Sequence, residues 1–277
     1  MAVSQVDKAR AFRALHDGPT FVIPNPWDIG SARVLAGHGF KALATSSAAS
    51  ASALGLKDGE LTRDQALDHA RQIVGATALP VSADLEGGFG DAPETVAATV
   101  RLAAEAGLVG CTIEDTTGDP AHPLYDDGLA VQRIAAAAEA ARTLPFPFML
   151  TARAHNLMFA NASLDATIRR LQAFEQAGAH VLFAPGLPDL AAVRTLCSSV
   201  KAPVNFMAGI KGKSFTVREL AECGVRRISL ATSLYRAAMT GFVDAANEVK
   251  ERGTFEFLDR ALSTGDVLGL MRDSNGS

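Results

Sequence analysis

Three stretches, EAGLVGCTIED (residues 105–115), QAGAHVLFAPG (176–186) and ECGVRRISLAT (222–232), share one order of events. Each runs from the end of a helical segment through a glycine into a short run of apolar residues. Glycine just past a helical segment is a stop signal, because it takes up the left-handed backbone of a helix end without steric cost. The apolar runs that follow are too brief for helices and predict buried parallel strands. Working outward, the same unit recurs at 20–24, 42–46, 80–84, 109–114, 147–153, 180–184, 203–206 and 227–231. Eight strands alternating with helical segments predict an α/β fold, a single-domain (β/α)8 TIM barrel. The clearest helix covers 93–106: Asp91 is expected to cap it, Pro93 sits in its first turn and Gly107 ends it.

The chain has 277 residues and 48% apolar content, enough for one large core. Its net charge of −4 comes from 26 basic and 30 acidic residues mixed along the sequence, so no basic stripe offers itself to a phosphate backbone. Nucleic acid is therefore not an expected partner. No stretch approaches the roughly 20 uninterrupted apolar residues of a membrane helix, and the opening MAVSQVDKAR lacks an apolar signal core. A soluble, cytoplasmic protein without membrane contact is expected. Cys111, Cys197 and Cys223 form no CxxC pair and read as small core residues.

Loops that follow barrel strands build the active-site face, so polar residues at strand ends are the candidates for chemistry. Trp27 and Asp28 follow the first strand, Asp84 and Glu86 the third, Glu114 and Asp115 the fourth, Arg153 and His155 the fifth, and Asn205 the seventh. Carboxylates gathered with one arginine suit a hard divalent cation and an anionic substrate: oxygen ligands hold the metal, and a guanidinium fork holds a carboxylate.

Residues 24–49 (PNPWDIGSARVLAGHGFKALATSSAA), 52–62 (SALGLKDGELT), 82–100 (SADLEGGFGDAPETVAATV), 108–118 (LVGCTIEDTTG) and 149–156 (MLTARAHN), together with PVNFM and GVRRISLATSLYRAAM, resemble in order and spacing the successive blocks of the isocitrate lyase and phosphoenolpyruvate mutase superfamily. The resemblance is closest to the phosphonomutase-like, oxaloacetate-cleaving branch. It implies a lyase that binds Mg²⁺, with Mn²⁺ as an alternative, and acts on a small 2-oxo- or 2-hydroxycarboxylate. Cleavage of a C–C bond in an oxaloacetate or alkylmalate would pass through a metal-stabilised enolate; P–C chemistry on a phosphonopyruvate is the alternative. Carried over to this chain, it makes Asp84 the direct metal ligand, with Ser82 in the other acidic place of that strand. Asp58 would reach the metal through water, Glu114 would be a further ligand, direct or outer-sphere, and Glu86 an addition to them. Ser47, Ala48 and Ala49 fall on the small-residue turn that receives the substrate carboxylate and oxyanion. Trp27 would wall the pocket, Arg153 would pair with the substrate's anionic group, and Asn205 would lie beside it.

The chain departs from the pattern in three places. The lyases of isocitrate and methylisocitrate carry a cysteine in a KxCGH-type loop after the fourth strand, whereas DTTGDPAHPLYDD (115–127) has none. Isocitrate cleavage is accordingly disfavoured. His155 replaces the family's aspartate after the arginine, and Ala184-Pro185-Gly186 replaces the acidic residue after the sixth strand. Gly118, Pro120 and Pro123 suit a hinged lid over 116–127, in which His122 and Tyr125 are the candidate proton-transfer groups. A Schiff-base aldolase is not supported, since no lysine ends the sixth strand. A barrel that binds a carboxylate without catalysis remains the other class of function.

Residues 1–253 are expected to form the barrel and 254–277 a C-terminal helical extension. Leu234, Ala238, Phe242, Ala245 and Val249 make one apolar stripe, and Phe255, Phe257, Leu258 and Leu262 add a second surface. Apolar surface left over after eight units predicts a homo-oligomer, a tetramer by resemblance, with the extension exchanged between subunits.

Overall fold

The computed structural model describes residues 3–159 and 163–271. Helix α1 (Gln5–Asp17) precedes β1 (Phe21–Ile23), α2 (Ile29–Gly37), β2 (Leu43–Ala44), α3 (Ser47–Ala53), α4 (Arg63–Ala76) and β3 (Val81–Asp84). Then follow α5 (Pro93–Glu105), β4 (Gly110–Glu114), α6 (Asp127–Arg142), β5 (Met149–Arg153), α7 (Leu164–Gln176) and β6 (Val181–Phe183). The chain continues through α8 (Leu190–Ser199), β7 (Val204–Met207), α9 (Val217–Glu222), β8 (Arg227–Ser229), α10 (Ser233–Arg252) and α11 (Thr264–Leu270).

All eight strands are parallel and pair in the order β1-β8-β7-β6-β5-β4-β3-β2. Between β1 and β2 the Ala44 N–H donates to the Pro24 carbonyl at 3.0 Å, which draws the two edges together into a barrel. Strands β2 and β8 are shorter than their apolar runs. After β2 the chain turns at Ser46, whose side chain caps α3, and after β8 Ala231 takes a left-handed φ of 47°.

The outer layer is held by small side chains. Ala103 and Ala104 of α5 and Ala137, Ala138 and Ala141 of α6 are all buried, so these helices pack closely against each other and the sheet. Gly178, at φ 105°, ends the segment after α7, and a Cβ there would come within 2.9 Å of the Ala138 methyl. The barrel floor is closed by α1, whose Phe12 is buried with Ile23, Val109, Met149 and Val181. A Cβ on Gly110 would meet the Met149 carbonyl at 2.6 Å and Phe12 at 3.1 Å, so this glycine is required for close approach. Each fully buried leucine or phenylalanine contributes about 1.5–3 kcal/mol of transfer free energy.

Asp91 does not cap α5. Ala92 is the N-cap without a side-chain bond, and Asp91 is engaged by Tyr125 instead. Cys111 and Cys223 are buried and Cys197 is half-buried, each as a free thiol. Beyond α10, α11 lies on α2. Residues 272–277 of the expected extension, and 160–162 of the barrel, lie outside the described residues. No helix among the described residues is long and apolar enough to cross a membrane.

Candidate active site

Strand register builds the site. Glu114, the last residue of β4, is the direct neighbour of Arg153, the last of β5, so both side chains leave the sheet at the same height. Arg153 Nη1 lies 3.1 Å from the Glu114 carboxylate and 3.7 Å from that of Asp84, at the end of β3. Ser47, at the start of α3, donates from Oγ to Asp84 at 3.2 Å. His155 Nδ1 is 3.3 Å from Glu114. Asp58 and Glu86 complete the lining of a cavity of about 400 Å³ over the strand ends, together with Ser47, Glu114, Arg153 and His155. Asp84 and Asn205 line a smaller hollow beneath it, in the barrel axis, to which Arg153 is common.

The electrostatics are those of carboxylates in excess. Burial raises the Asp84 pKa above the carboxylate range despite the opposing pull of Arg153, and the negative charges of Glu114 and Asp58 add to the rise. Burial, followed by the charges of Asp84, Asp58 and Glu114, pushes Glu86 up to about 8. Burial also acts upward on Glu114, but Arg153 and His155 outweigh it and hold this carboxyl below its usual range. Glu86 Oε1 and Arg153 Nε are buried with no hydrogen-bond partner among the described residues. An unpaired buried acceptor among carboxylates suits a cation, and an unpaired guanidinium N–H suits an anion. Asp84, Glu86, Glu114 and Asp58 are the residues that could hold a hard metal ion. Among the described residues no three acidic, histidine or cysteine side chains close into a compact ligand group. As an all-oxygen donor set, these four carboxylates fit a hard divalent ion by their chemistry.

The loop after β3 is bent by two non-glycine residues with left-handed backbone, Glu86 (φ 49°) and Phe89 (φ 63°). Such a conformation needs external support. Arg133 of α6 supplies it: the side chain is fully buried and donates to the carbonyls of Gly87, Gly90 and Asp91. Its guanidinium also covers the Tyr125 ring at 4.0 Å. Asp115 acts on the neighbouring loop, accepting from the His155 N–H at 2.8 Å and from Arg170 at 2.6 Å.

Residues 12–250 match the sequence model of the phosphoenolpyruvate phosphomutase family. This chain belongs to that family. It is 33% identical over 227 residues to 2-methylisocitrate lyase of Escherichia coli K12, an alignment covering 79% of this chain and 75% of the relative. A crystal structure of a Burkholderia cenocepacia J2315 protein described as a lyase/mutase shares 50% identity at a TM-score of 0.95, covering 98% of this chain and 97% of that one. A crystal structure of 2,3-dimethylmalate lyase, from the phosphoenolpyruvate mutase/isocitrate lyase superfamily, shares 26% identity at a TM-score of 0.85, covering 96% and 95%.

The fold brings together Ser47, Asp58, Asp84, Glu86, Glu114, Arg153 and His155, but other candidates stand apart. Trp27 is not among the cavity's lining residues; its ring meets Tyr235 edge-on at 5.6 Å. The side chain of His122 is 85% exposed at the tip of the 116–127 loop, beside Asp119 and away from the cavity. Tyr125 does line the cavity; burial and its 2.6 Å bond to Asp91 push its hydroxyl up to about 12. Ala48 is half-buried and Ala49 fully buried, and the expected turn is the first turn of α3. There the Ala49 N–H is directed to Ser46 Oγ, whereas Ser47 and Ala48 occupy positions whose N–H groups have no intrahelical acceptor. Asn205 faces into the barrel, with Oδ1 accepting from Arg227 at 2.8 Å and Nδ2 donating to Ser229 at 3.0 Å.

Arg133 and Arg227 escape sequence reading. Both lie in stretches that read as ordinary helix and strand, and neither is at the C-terminal end of a strand, where the site is built. The one available signal is an arginine that runs directly into an apolar residue within a largely apolar stretch, in AVQRIAAAA and GVRRISLAT.

Proposed function

We propose that this chain is a divalent-metal-dependent lyase that cleaves a C–C bond in a small 2-oxo- or 2-hydroxycarboxylate of the oxaloacetate or alkylmalate type. Carboxylates facing a single arginine in one polar cavity, with Glu86 Oε1 and Arg153 Nε unpaired, support this function. Named relatives that cleave methylisocitrate and dimethylmalate favour the same class. Mg²⁺ or Mn²⁺, held by Asp84 with Asp58, Glu86 and Glu114 directly or through water, would polarise the substrate's C2 oxygen and offset the charge that grows on it.

The chain's own groups do the rest. Arg153 pairs with one anionic end of the substrate, and its unpaired Nε–H adds a second donor. Ser47 Oγ and the first-turn N–H groups of Ser47 and Ala48 receive the other carboxylate, and they gain strength as negative charge develops. Tyr125, whose hydroxyl donates to Asp91, lines the cavity, and the enolate left by scission would be protonated from this loop or by water. No cysteine lies in the 116–127 loop, and Cys111 is buried within β4, so isocitrate and 2-methylisocitrate are expected to be poor substrates.

Oxaloacetate, alkylated malates and phosphonopyruvate assayed for oxalate or pyruvate release, with and without Mg²⁺, test the proposal. Metal-dependent C–C cleavage of one of the carboxylates is expected. Turnover of phosphonopyruvate alone would move the reading to P–C chemistry, for which the matching family model is named. Saturable binding without turnover of any of these acids would mark a carboxylate-binding barrel.

The protein is further proposed to be a homo-oligomer, by resemblance a tetramer. Phe242 of α10 and Phe255, Leu258, Leu262 and Leu268 beyond it are each more than half exposed, a surface that a symmetric partner would cover. Light scattering at micromolar concentration checks this, and a stable mass near the 28.9 kDa of one chain would reject it.

A further inference from the structure

The segment between α3 and α4 carries Asp58 to the rim of the active-site cavity with little packing of its own. Residues 52–60 are exposed apart from the half-buried Leu56. Gly55 and Gly59 take left-handed φ values of 75° and 84°, and a Cβ on either would meet nothing within 4 Å. The backbone bonds are local, such as Leu56 N–H to the Ala51 carbonyl and Glu60 N–H to that of Lys57. A segment of this kind is placed by the elements at its ends.

One imidazole joins those elements. His69, half-buried on α4, lies with Nδ1 3.2 Å from Ser50 Oγ on α3, the one side-chain hydrogen bond between these two helices among the described residues. Its Nε2 is 2.9 Å from the carbonyl of Trp27, in the loop after β1. A carbonyl only accepts, so Nε2 carries the ring proton and Nδ1 is left to accept from the Ser50 hydroxyl. That hydroxyl can turn to the ring, because its other neighbour, the Ser46 carbonyl at 2.8 Å, already accepts the Ser50 N–H at 2.9 Å. Ser50 is buried, one helical turn beyond Ser47, whose hydroxyl meets Asp84. The ring therefore ties α4 to α3 and to the β1 loop, and it is not among the residues that line the cavity.

We propose that His69 is a positioning residue for the active site. Through Ser50 it holds α3, and with it Ser47; by fixing α3 against α4 it sets the span that keeps Asp58 over the cavity. What Ser47 and Asp58 do there rests on the proposed function. A displacement of about 1 Å is enough to weaken a group's hold on its ligand. Loss of the clasp would move a substrate-binding hydroxyl and a metal-binding carboxylate together, so the affinities for substrate and ion should fall in step.

Ser50→Ala and His69→Phe, each in the full chain, test this. Amide hydrogen exchange over residues 47–60 should quicken at least about tenfold in both, with exchange in α7 and α8 unchanged. For whichever of the assayed carboxylates is turned over, KM and the Mg²⁺ concentration for half activity should rise together at least about fivefold, while kcat at saturation stays within about threefold of the parent value. His69→Gln, whose amide offers one donor and one acceptor, should recover most of both affinities. A role confined to stability would instead lower kcat through loss of folded protein and leave both constants in place. Ser50→Ala removes only a hydroxyl and carries the test if His69→Phe does not fold. Unchanged exchange at 47–60 in Ser50→Ala, or a fall in kcat with KM and the Mg²⁺ constant unmoved, would each overturn the assignment. If the parent protein turns over none of the carboxylates, the proposed function fails by itself and the exchange measurement alone decides whether His69 places this segment.

Discussion

The two ends of the barrel present cavities of similar size and opposite charge. At the strand C-termini, Asp58, Glu86 and Glu114 line a space of about 400 Å³ with one arginine, Arg153, and Asp84 adjoins them through its contact with that arginine. At the strand N-termini, Arg13, Arg142 and two histidines line about 490 Å³ with one carboxylate, Asp17. Chain direction accounts for part of this. Each helix runs antiparallel to its strand, so helix C-termini gather at the lower end, where cations are favoured by the helix dipole; Arg142 lies in the last turn of α6. Helix N-termini gather at the upper end, where an anionic substrate gains from the same field. Five carboxylates there, Asp58, Asp84, Glu86, Asp91 and Glu114, oppose that field, and the proposed metal would offset their charge.

The sharpest way to break this comparison is Asp84→Ala, which removes the upper carboxylate that meets both Ser47 and Arg153. Turnover is expected to fall at least about a hundredfold. The thermal midpoint should hold, because Asp84 is a carboxylate that burial already penalises. Unchanged activity, or activity indifferent to EDTA in the parent protein, would remove the metal from the upper end altogether.

Arg153→Lys keeps the upper cation and loses the fork. A point charge cannot serve Glu114 and a substrate carboxylate together, so kcat/KM should drop by more than about tenfold. An equal kcat/KM would make Arg153 structural.

Arg133→Met tests whether the upper end depends on a brace. Three loop carbonyls lose their donor, and unfolding in urea should show a loss of about 2–4 kcal/mol. Activity should decline with it, since Glu86 lies in the loop released. A fully stable variant would mean that the left-handed residues Glu86 and Phe89 hold the loop unaided.

The smallest effect is expected for His122→Ala. The side chain is exposed and outside the cavity, so kcat/KM should stay within about twofold of the parent value. A larger loss would show that the 116–127 loop closes and carries His122 to the substrate.

Much of the barrel was legible because its signals are local. The glycines at 107, 178 and 224 do end helical segments with left-handed φ, and strand cores lie inside every apolar run singled out. Asp84, Glu114 and Arg153 were legible for a related reason: each is the last residue of its strand, and barrel geometry brings strand ends together. Asp91 was misread as a helix cap because local spacing favoured it, whereas the phenol of Tyr125, 34 residues away, claims the carboxylate. Trp27 and His122 stand at plausible loop positions, yet side-chain direction in a loop follows its neighbours rather than its sequence number.

From the sequence alone came the eight units, their parallel order, the acidic strand ends and the arginine between them, since all depend on periodicity and on strand termini. Tertiary structure alone decided which buried groups are paired. Arg133 beneath a strained loop, Arg227 holding Asn205 inside the barrel, and His16 with a nitrogen left unmatched among the described residues are products of long-range packing. A donor and its acceptor can be dozens or hundreds of residues apart, and no local pattern records that they meet.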